Sequence, residues 1–198
     1  TLIAADGKES AVKPVQQGAP AALVFKTSAD PYVGRLSYLR VYNGVLTSNA
    51  TVWNSVRGEQ ERIGQLYTMR GKTQEAVPEL RAGDIGVVAK LTQTNTGSTL
   101  SAKEHPVKIA PVTFPAPIFS AAVYPKTKTD IDKMGNALAR MTEEDMTIHV
   151  RRDHDTGETI IDGMGETHLA VASDRMARKF GLGVELKPDT LSKYGYGK

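Results

Sequence analysis

Several stretches of this chain hold residue types that could do chemistry. Gly71-Lys72-Thr73 has the ending of a phosphate-binding loop, in which backbone amides and a lysine cradle phosphates. Such a loop needs a glycine five residues ahead of Gly71, and Leu66 stands there. The flanking residues read as a β-hairpin, not as a strand feeding a helix, so no nucleotide is expected here. His149, Asp153, His154 and Asp155 are all metal-ligand types. Their spacing crosses from a strand into a turn, so the side chains should diverge, and polar turn residues are the reading. Glu143-Glu144-Asp145 places like charges against the dipole of an expected helix C-terminus. A local cost of that kind hints at a contact site, although a solvated acidic corner would look the same. Asp162-Gly163-Met164-Gly165-Glu166-Thr167-His168-Leu169 links a strand to a helix through two glycines and sets Glu166 and His168 in the first helical turn. Nucleophilic catalysis is not expected: there is no cysteine and no G-x-S-x-G elbow, and the 4 histidines lack obvious Ser or Asp partners.

The elements that must carry these residues change character near Pro111-Val112-Thr113-Phe114-Pro115-Ala116-Pro117. Three prolines so close together exclude a helix or a central strand and predict an extended linker. Before it, β-type runs are expected at Ala22–Ser28, Arg35–Tyr42, Thr51–Val56, Arg62–Met69, Ile85–Leu91 and Pro106–Ile109. Turn signals separate them, among them Asp30-Pro31, Arg57-Gly58, Arg70-Gly71 and Thr96-Gly97. Asn43-Gly44 is read as a hairpin turn, because both of its central positions need positive φ. Short strands with such turns predict a closed barrel or sandwich. Val77–Arg81 is the one expected helical turn.

After the linker the order becomes strand, helix, strand, strand, helix, strand. Ile118–Tyr124 is β-like, and Ile131, Met134, Leu138 and Met141 then share a helical face. Thr127 with Asp130 three residues on suits the start of that helix. Met146, Ile148 and Val150 alternate with Thr147, His149 and Arg151, giving a strand with one apolar face. Asp153–Gly157 turns the chain into Glu158–Asp162. Leu169, Ala172, Met176 and Phe180 form the apolar side of the second helix, which Arg178, Lys179 and Gly181 should close. Val184 and Leu186 lie on the last strand. The βαββαβ order is the ferredoxin-like plan, with both helices on one sheet face and the face bearing His149 and Arg151 left for a partner. An RNA-recognition module shares this plan but needs aromatics on its central strands. Here those strands are read as carrying His149 and Arg151 on the open face and no aromatic, which counts against such a module.

Composition narrows the class further. A chain of 198 residues with 40% hydrophobic and 24% charged residues is ordinary for a globular protein of one or two domains. No apolar run approaches the ~20 residues of a membrane-spanning helix, so no membrane association is expected. The absence of cysteine excludes disulfides and thiolate metal sites and fits a reducing cytoplasm. The net charge of +3 is uneven: residues 1–113 carry 13 Lys/Arg against 9 Asp/Glu, whereas 114–198 carry 12 against 13. The basic first part is compatible with an RNA surface.

Several blocks together resemble one family, the translational GTPases of the elongation factor G type. Asp30-Pro31-Tyr32-Val33-Gly34-Arg35-Leu36, Arg40-Val41-Tyr42-Asn43-Gly44 and Leu80–Gly86 resemble its β-barrel second domain. Pro125-Lys126-Thr127-Lys128, Ala137–Arg140, Glu143–Asp145 and Gly163–Leu169 resemble its third domain. The blocks run in the family's order over about residues 20–187. The resemblance implies a translation-factor-type β-barrel at 20–113 and a ferredoxin-like βαββαβ domain at 114–187. It also implies a linker from a missing GTPase domain at 1–19 and a tail at 188–198. The resemblance also implies a barrel resting on small-subunit ribosomal RNA and protein, with Arg35, Arg40, Lys126 and Lys128 as candidate ribosome contacts. The helix that begins at Glu166 would face the GTPase domain through Gly165, Glu166, His168 and Arg175. No cofactor is expected in this piece; GTP and Mg²⁺ are implied for the parent. Met146 where the family has proline, Thr167 where it has leucine and Ser98 where it has aspartate suggest a divergent paralogue. Ribosomal protection proteins and release factor 3 share the architecture and stay open, as does a free-standing RNA- or protein-binding module.

Overall fold

The computed structural model describes residues 2–4, 8–11, 15–30, 33–71 and 73–188. Lys72, Pro31, Tyr32 and the expected tail beyond Pro188 lie outside them. The chain divides into two compact units, residues 1–112 and 113–198.

The first unit is built from β1 (Leu2–Ala4), β2 (Glu9–Ser10), β3 (Ala21–Asp30), β4 (Gly34–Asn43), β5 (Val45–Thr47), β6 (Thr51–Asn54), β7 (Glu59–Arg62), β8 (Leu66–Arg70), β9 (Thr73–Val77), β10 (Glu79–Arg81), β11 (Ile85–Ala89), β12 (Thr99–Ser101) and β13 (Val107–Ile109). Eight strands form one antiparallel sheet in the order β7-β6-β12-β3-β4-β11-β8-β9. It curls barrel-like around Val24, Leu39, Val41, Val52, Ile63, Leu66, Val88 and Leu100, all buried. Alternation explains the packing: Leu39 and Val41 point inward and Arg40, between them, is exposed.

Four sequence expectations change here. Asn43-Gly44 does not join hydrogen-bonded neighbours; it is a corner at which the chain leaves β4 for β5, whose partner is β10. Gly44 sits at φ 67°, its N–H donates to Val15 O at 2.8 Å, and a Cβ there would lie 2.4 Å from Gly18 O. Gly44→Ala therefore meets both left-handed strain and immovable backbone, and is expected to cost about 1–2 kcal/mol in urea unfolding. Arg62–Met69 is two strands, because Ile63 turns inward, fully buried, and its N–H bonds to Ala50 O. Val77–Arg81 is extended on both sides of Pro78, since Glu79–Arg81 finds its ladder on β5. Residues 1–19, expected to be a connecting segment, supply two strands, with β1 lying between β13 and β2.

The second unit holds β14 (Phe119–Pro125), α1 (Lys128–Glu144), β15 (His149–Arg152), β16 (Thr159–Gly163), α2 (Glu166–Phe180) and β17 (Val184–Pro188). The antiparallel sheet runs β15-β16-β14-β17, the ferredoxin-like order, with both helices packed over one face. Leu138, Met141, Leu169, Ala172 and Met176 meet Ala121, Val123, Ile148 and Ile161 in this core. The α1 stripe is rotated from the one expected: Ile131 is exposed and Asp130 is buried. The Asp130 carboxylate accepts from Thr127 N–H at 3.1 Å and Thr127 Oγ1 at 2.7 Å, so it turns inward to close the helix start. Gly181 ends α2 in the left-handed region at φ 60°, with its N–H to Ala177 O and Leu182 N–H to Met176 O.

Because β15 is the second strand of this plan, His149 and Arg151 lie on an edge strand, not on a central one. The central strands are β14 and β16, and the open face carries Tyr124 on β14. Its hydroxyl bonds to the Glu158 carboxylate, which, with some burial, pushes the phenol above its ordinary value. The Lys187 ammonium lies 4.9 Å from the ring centre.

Candidate functional site

The glycine-bearing turn from β16 into α2 meets the C-terminus of α1, and the side chains there interlock. Gly163 leaves room for α2: a Cβ there would fall 2.5 Å from Leu169 Cδ2 and 3.1 Å from His168 Nδ1, so those side chains would have to shift. That close approach lets the first turn of α2 fold back over the loop. Met164 N–H donates to His168 Nδ1 at 3.0 Å. With Nδ1 accepting, the proton sits on Nε2, which donates to Asp145 Oδ2 at 3.1 Å. Asp145 Oδ1 accepts from Thr147 N–H at 3.0 Å and Thr147 Oγ1 at 2.6 Å, and Asp145 N–H caps α1 through Met141 O. Burial alone would raise the Asp145 carboxyl; the Thr147 and His168 hydrogen bonds outweigh it and hold the group below its ordinary value. Beside it, Lys179 Nζ reaches Glu144 Oε1 at 2.7 Å, with the Glu144 side chain almost fully buried.

Glu144 and Asp145, expected as a contact site or a solvated corner, thus face cationic and donor groups of α2. The like charges at the end of α1 are offset across the helix pair. The imidazole is a strut between two helix ends rather than an outward-facing group. This role has no signature in the sequence, because the spacing from Asp145 to His168 carries no period.

The other α2 positions differ from His168. Gly165, the residue before the helix, is extended, and Glu166 is exposed at the first turn. Arg175 lies two turns further on, half-buried. Glu166 and Asp174 rim a groove of about 310 Å³ whose floor includes Phe119, Leu169 and Leu186.

The four basic candidates also separate. Arg35 turns its guanidinium inward: Nη2 donates to Thr94 O at 2.6 Å and to Asn95 Oδ1. Arg40 is exposed on β4, stacked 5.7 Å from the Tyr42 ring centre. Lys126 and Lys128 are exposed on either side of the α1 start.

Arg35 belongs to a larger arrangement that the sequence does not announce. Glu61 on β7, 6% exposed, aims its carboxylate at the 91–98 connection. Oε1 accepts from the backbone N–H groups of Thr92 and Gln93, and Oε2 from the Thr94 hydroxyl. Asn54 Nδ2 donates to Gln93 O at 3.2 Å from the other side.

His149, Asp153, His154 and Asp155 do not converge into a ligand set. Asp153 Oδ1 accepts the N–H groups of Asp155 and Thr156, both at 2.9 Å, and these bonds hold its carboxyl below its ordinary value. Gly71 lies in the tight link from β8 to β9, where Arg70 pairs with Thr73. A phosphate cradle needs a strand opening into a helix, so this turn does not fit a nucleotide.

A curled antiparallel barrel followed by a βαββαβ domain is the tandem of translation factors. Residues 19–103 match the family model for elongation factor G domain 2, and residues 114–188 match that for elongation factor G, domain III. The fold is similar to a crystal structure of a protein from Thermus thermophilus, with a TM-score of 0.76 and 35% identity, covering 86% of this chain and 26% of that one. The chain belongs to the elongation factor G family and carries its second and third domains. It spans about a quarter of the length of the solved chain that it matches.

Proposed function

We propose that this chain is the ribosome-binding middle part of an elongation factor G-like translational GTPase acting in the cytoplasm. The observation that carries the reading is the two family domains side by side in one chain and in family order. The barrel is the anchor on small-subunit ribosomal RNA and protein. The βαββαβ domain is the relay that couples GTP hydrolysis in a separate GTPase domain to movement on the ribosome. GTP and Mg²⁺ belong to that domain; no set among the described residues suits them, and this chain alone is proposed not to hydrolyse GTP.

Within the relay, Gly165, Glu166 and Arg175 present the α2 surface to the GTPase domain. Among the described residues Arg175 has no ion-pair partner, which leaves its charge for that contact. His168 acts behind this surface by holding the loop in register with α1. The exposed cations proposed for phosphate contacts are Arg40 on the barrel and Lys126 and Lys128 on the second domain, while Arg35 serves the barrel itself.

Co-sedimentation of the chain with purified small ribosomal subunits across a salt series tests this. Saturable binding should weaken steeply with salt, and Arg40→Ala should lower the slope of log K against log salt by about 1. No saturable binding at low salt, or a slope indifferent to all three exposed cations, would sink the anchor reading. Mg²⁺-dependent GTP binding by this chain would sink the assignment of nucleotide chemistry elsewhere.

A further inference from the structure

Asn43-Gly44 is the one Asn-Gly pair in the chain, and the pair has a chemistry of its own. With no side chain on Gly44 to obstruct it, the asparagine carboxamide can close on the next backbone nitrogen. Gly44 N gives up its proton and bonds to Asn43 Cγ; the Cγ–Nδ2 bond breaks, and Nδ2 leaves with a proton as ammonia. Water then opens the resulting five-membered imide at either carbonyl. One opening leaves aspartate; the other reroutes the main chain through the side-chain carboxyl as isoaspartate.

The fold opposes this reaction at each of its atoms. Gly44 is buried, and its N–H, which the attack must deprotonate, is bound to Val15 O at 2.8 Å. Asn43 Nδ2, the leaving group, donates to Ala19 O at 2.9 Å, and Oδ1 accepts from Val15 N–H at 3.4 Å. Gly18 lies so close to the carboxamide that a Cβ there would fall 2.2 Å from Nδ2. All of these contacts come from residues 15–19, a stretch outside every strand and exposed at Val15, Gln16 and Gln17. Closure of the corner therefore depends on that stretch staying seated.

We infer that Asn43-Gly44 is a latent self-modification site, held unreactive by residues 15–19 and released when they lift. Release is one-way. Isoaspartate adds a methylene to the main chain at the corner, so Gly44 N–H no longer meets Val15 O in register. Either product also sets a carboxylate, which only accepts, against Ala19 O where a donor stood. A barrel that has opened here and reacted does not regain the same clamp. The inference rests on the geometry of the corner and not on ribosome binding.

The full chain is incubated in mildly alkaline buffer, with and without denaturing guanidinium, and digested with trypsin. Mass spectrometry follows the exchange of NH₂ for OH in the peptide 41–57, which also holds Asn49 and Asn54 as internal references. Conversion at Asn43 should be at least about tenfold faster in the unfolded chain than in the folded one, and faster there than at either reference. Gly18→Ala is the discriminating variant. Gly18 is outside the left-handed region, so alanine suits its backbone, and the conflict falls on the Asn43 side chain, which must leave Ala19 O. Loss of that bond should speed conversion in the folded chain about tenfold, with Asn54 unchanged. The inference is overturned if Asn43 converts equally fast folded and unfolded, if it is no faster than Asn49 when unfolded, or if Gly18→Ala leaves the folded rate as it was. Should the variant unfold outright, Asn54 would accelerate together with Asn43, and the folded-against-unfolded comparison in the parent chain then decides.

Discussion

Glu61→Ala is expected to destabilise the barrel by about 4 kcal/mol, measured by urea unfolding of the chain. The substitution removes one carboxylate and leaves the N–H groups of Thr92 and Gln93 and the Thr94 hydroxyl without their acceptor. Thr94 is fully buried, so water cannot readily take the carboxylate's place. The damage should be local before it is global: amide exchange should accelerate across residues 92–98 while the β3–β4 ladder stays protected. Glu61→Gln keeps one carbonyl oxygen and an amide that can face the hydroxyl, so it should retain most of the stability. If alanine and glutamine prove equally mild, the 91–98 connection is held by Arg35 and Asn54 instead, and Glu61 is incidental.

His168→Ala should cost about 2–3 kcal/mol, because it strands Met164 N–H and removes the Nε2–H that Asp145 accepts. Its specific mark is faster exchange at the Met164 amide with little change in the central strands. The same clamp gives the domain an acid-side weakness. The folded Asp145 carboxyl titrates below its ordinary value of 3.8, so its stabilisation is present above that value and is lost as pH falls through the lowered one. Urea midpoints should therefore fall on acidification below about pH 4 in the parent chain and fall less in Asp145→Asn. Equal acid sensitivity of the two would show that other carboxylates dominate.

The parts of this architecture visible in the sequence are those governed by local chemistry. The proline cluster at 111–117 marks the change between periodicities, and the 3.6-residue stripes locate α1 and α2 to within a residue or two. The turn at Asp153–Gly157 is written in its own side chains. What escapes depends on partners distant in sequence. Glu79–Arg81 is extended because β5 waits for it, and Asn43-Gly44 is a corner because Val15–Pro20 fills the space a hairpin would use. Asp130 takes the inward place expected of Ile131, since a carboxylate can satisfy the helix start and isoleucine cannot. Among the candidate residues, the family resemblance nominates His168 and Arg35 but does not reveal that both turn inward. Glu61 is invisible for the converse reason: nothing in Glu59-Gln60-Glu61-Arg62 distinguishes the one carboxylate that the fold buries.

Load travelling through the chain would meet the barrel at its two ends together. β1 and β13 lie antiparallel, with Leu2 opposite Ile109 and Ala4 opposite Val107. The chain thus enters and leaves the barrel side by side, at the same end of a three-rung ladder. A pull between neighbours on either side would not stretch the barrel; it would bear first on the Leu2–Ile109 rung and peel the ladder open one pair at a time. Ile109 N–H is also tied to Thr99 Oγ1 at 2.9 Å, so peeling should begin with β1 lifting away while β13 stays seated. The barrel would then hang beside the line of tension like a bead on a clasp, keeping its shape while the distance between its neighbours grows.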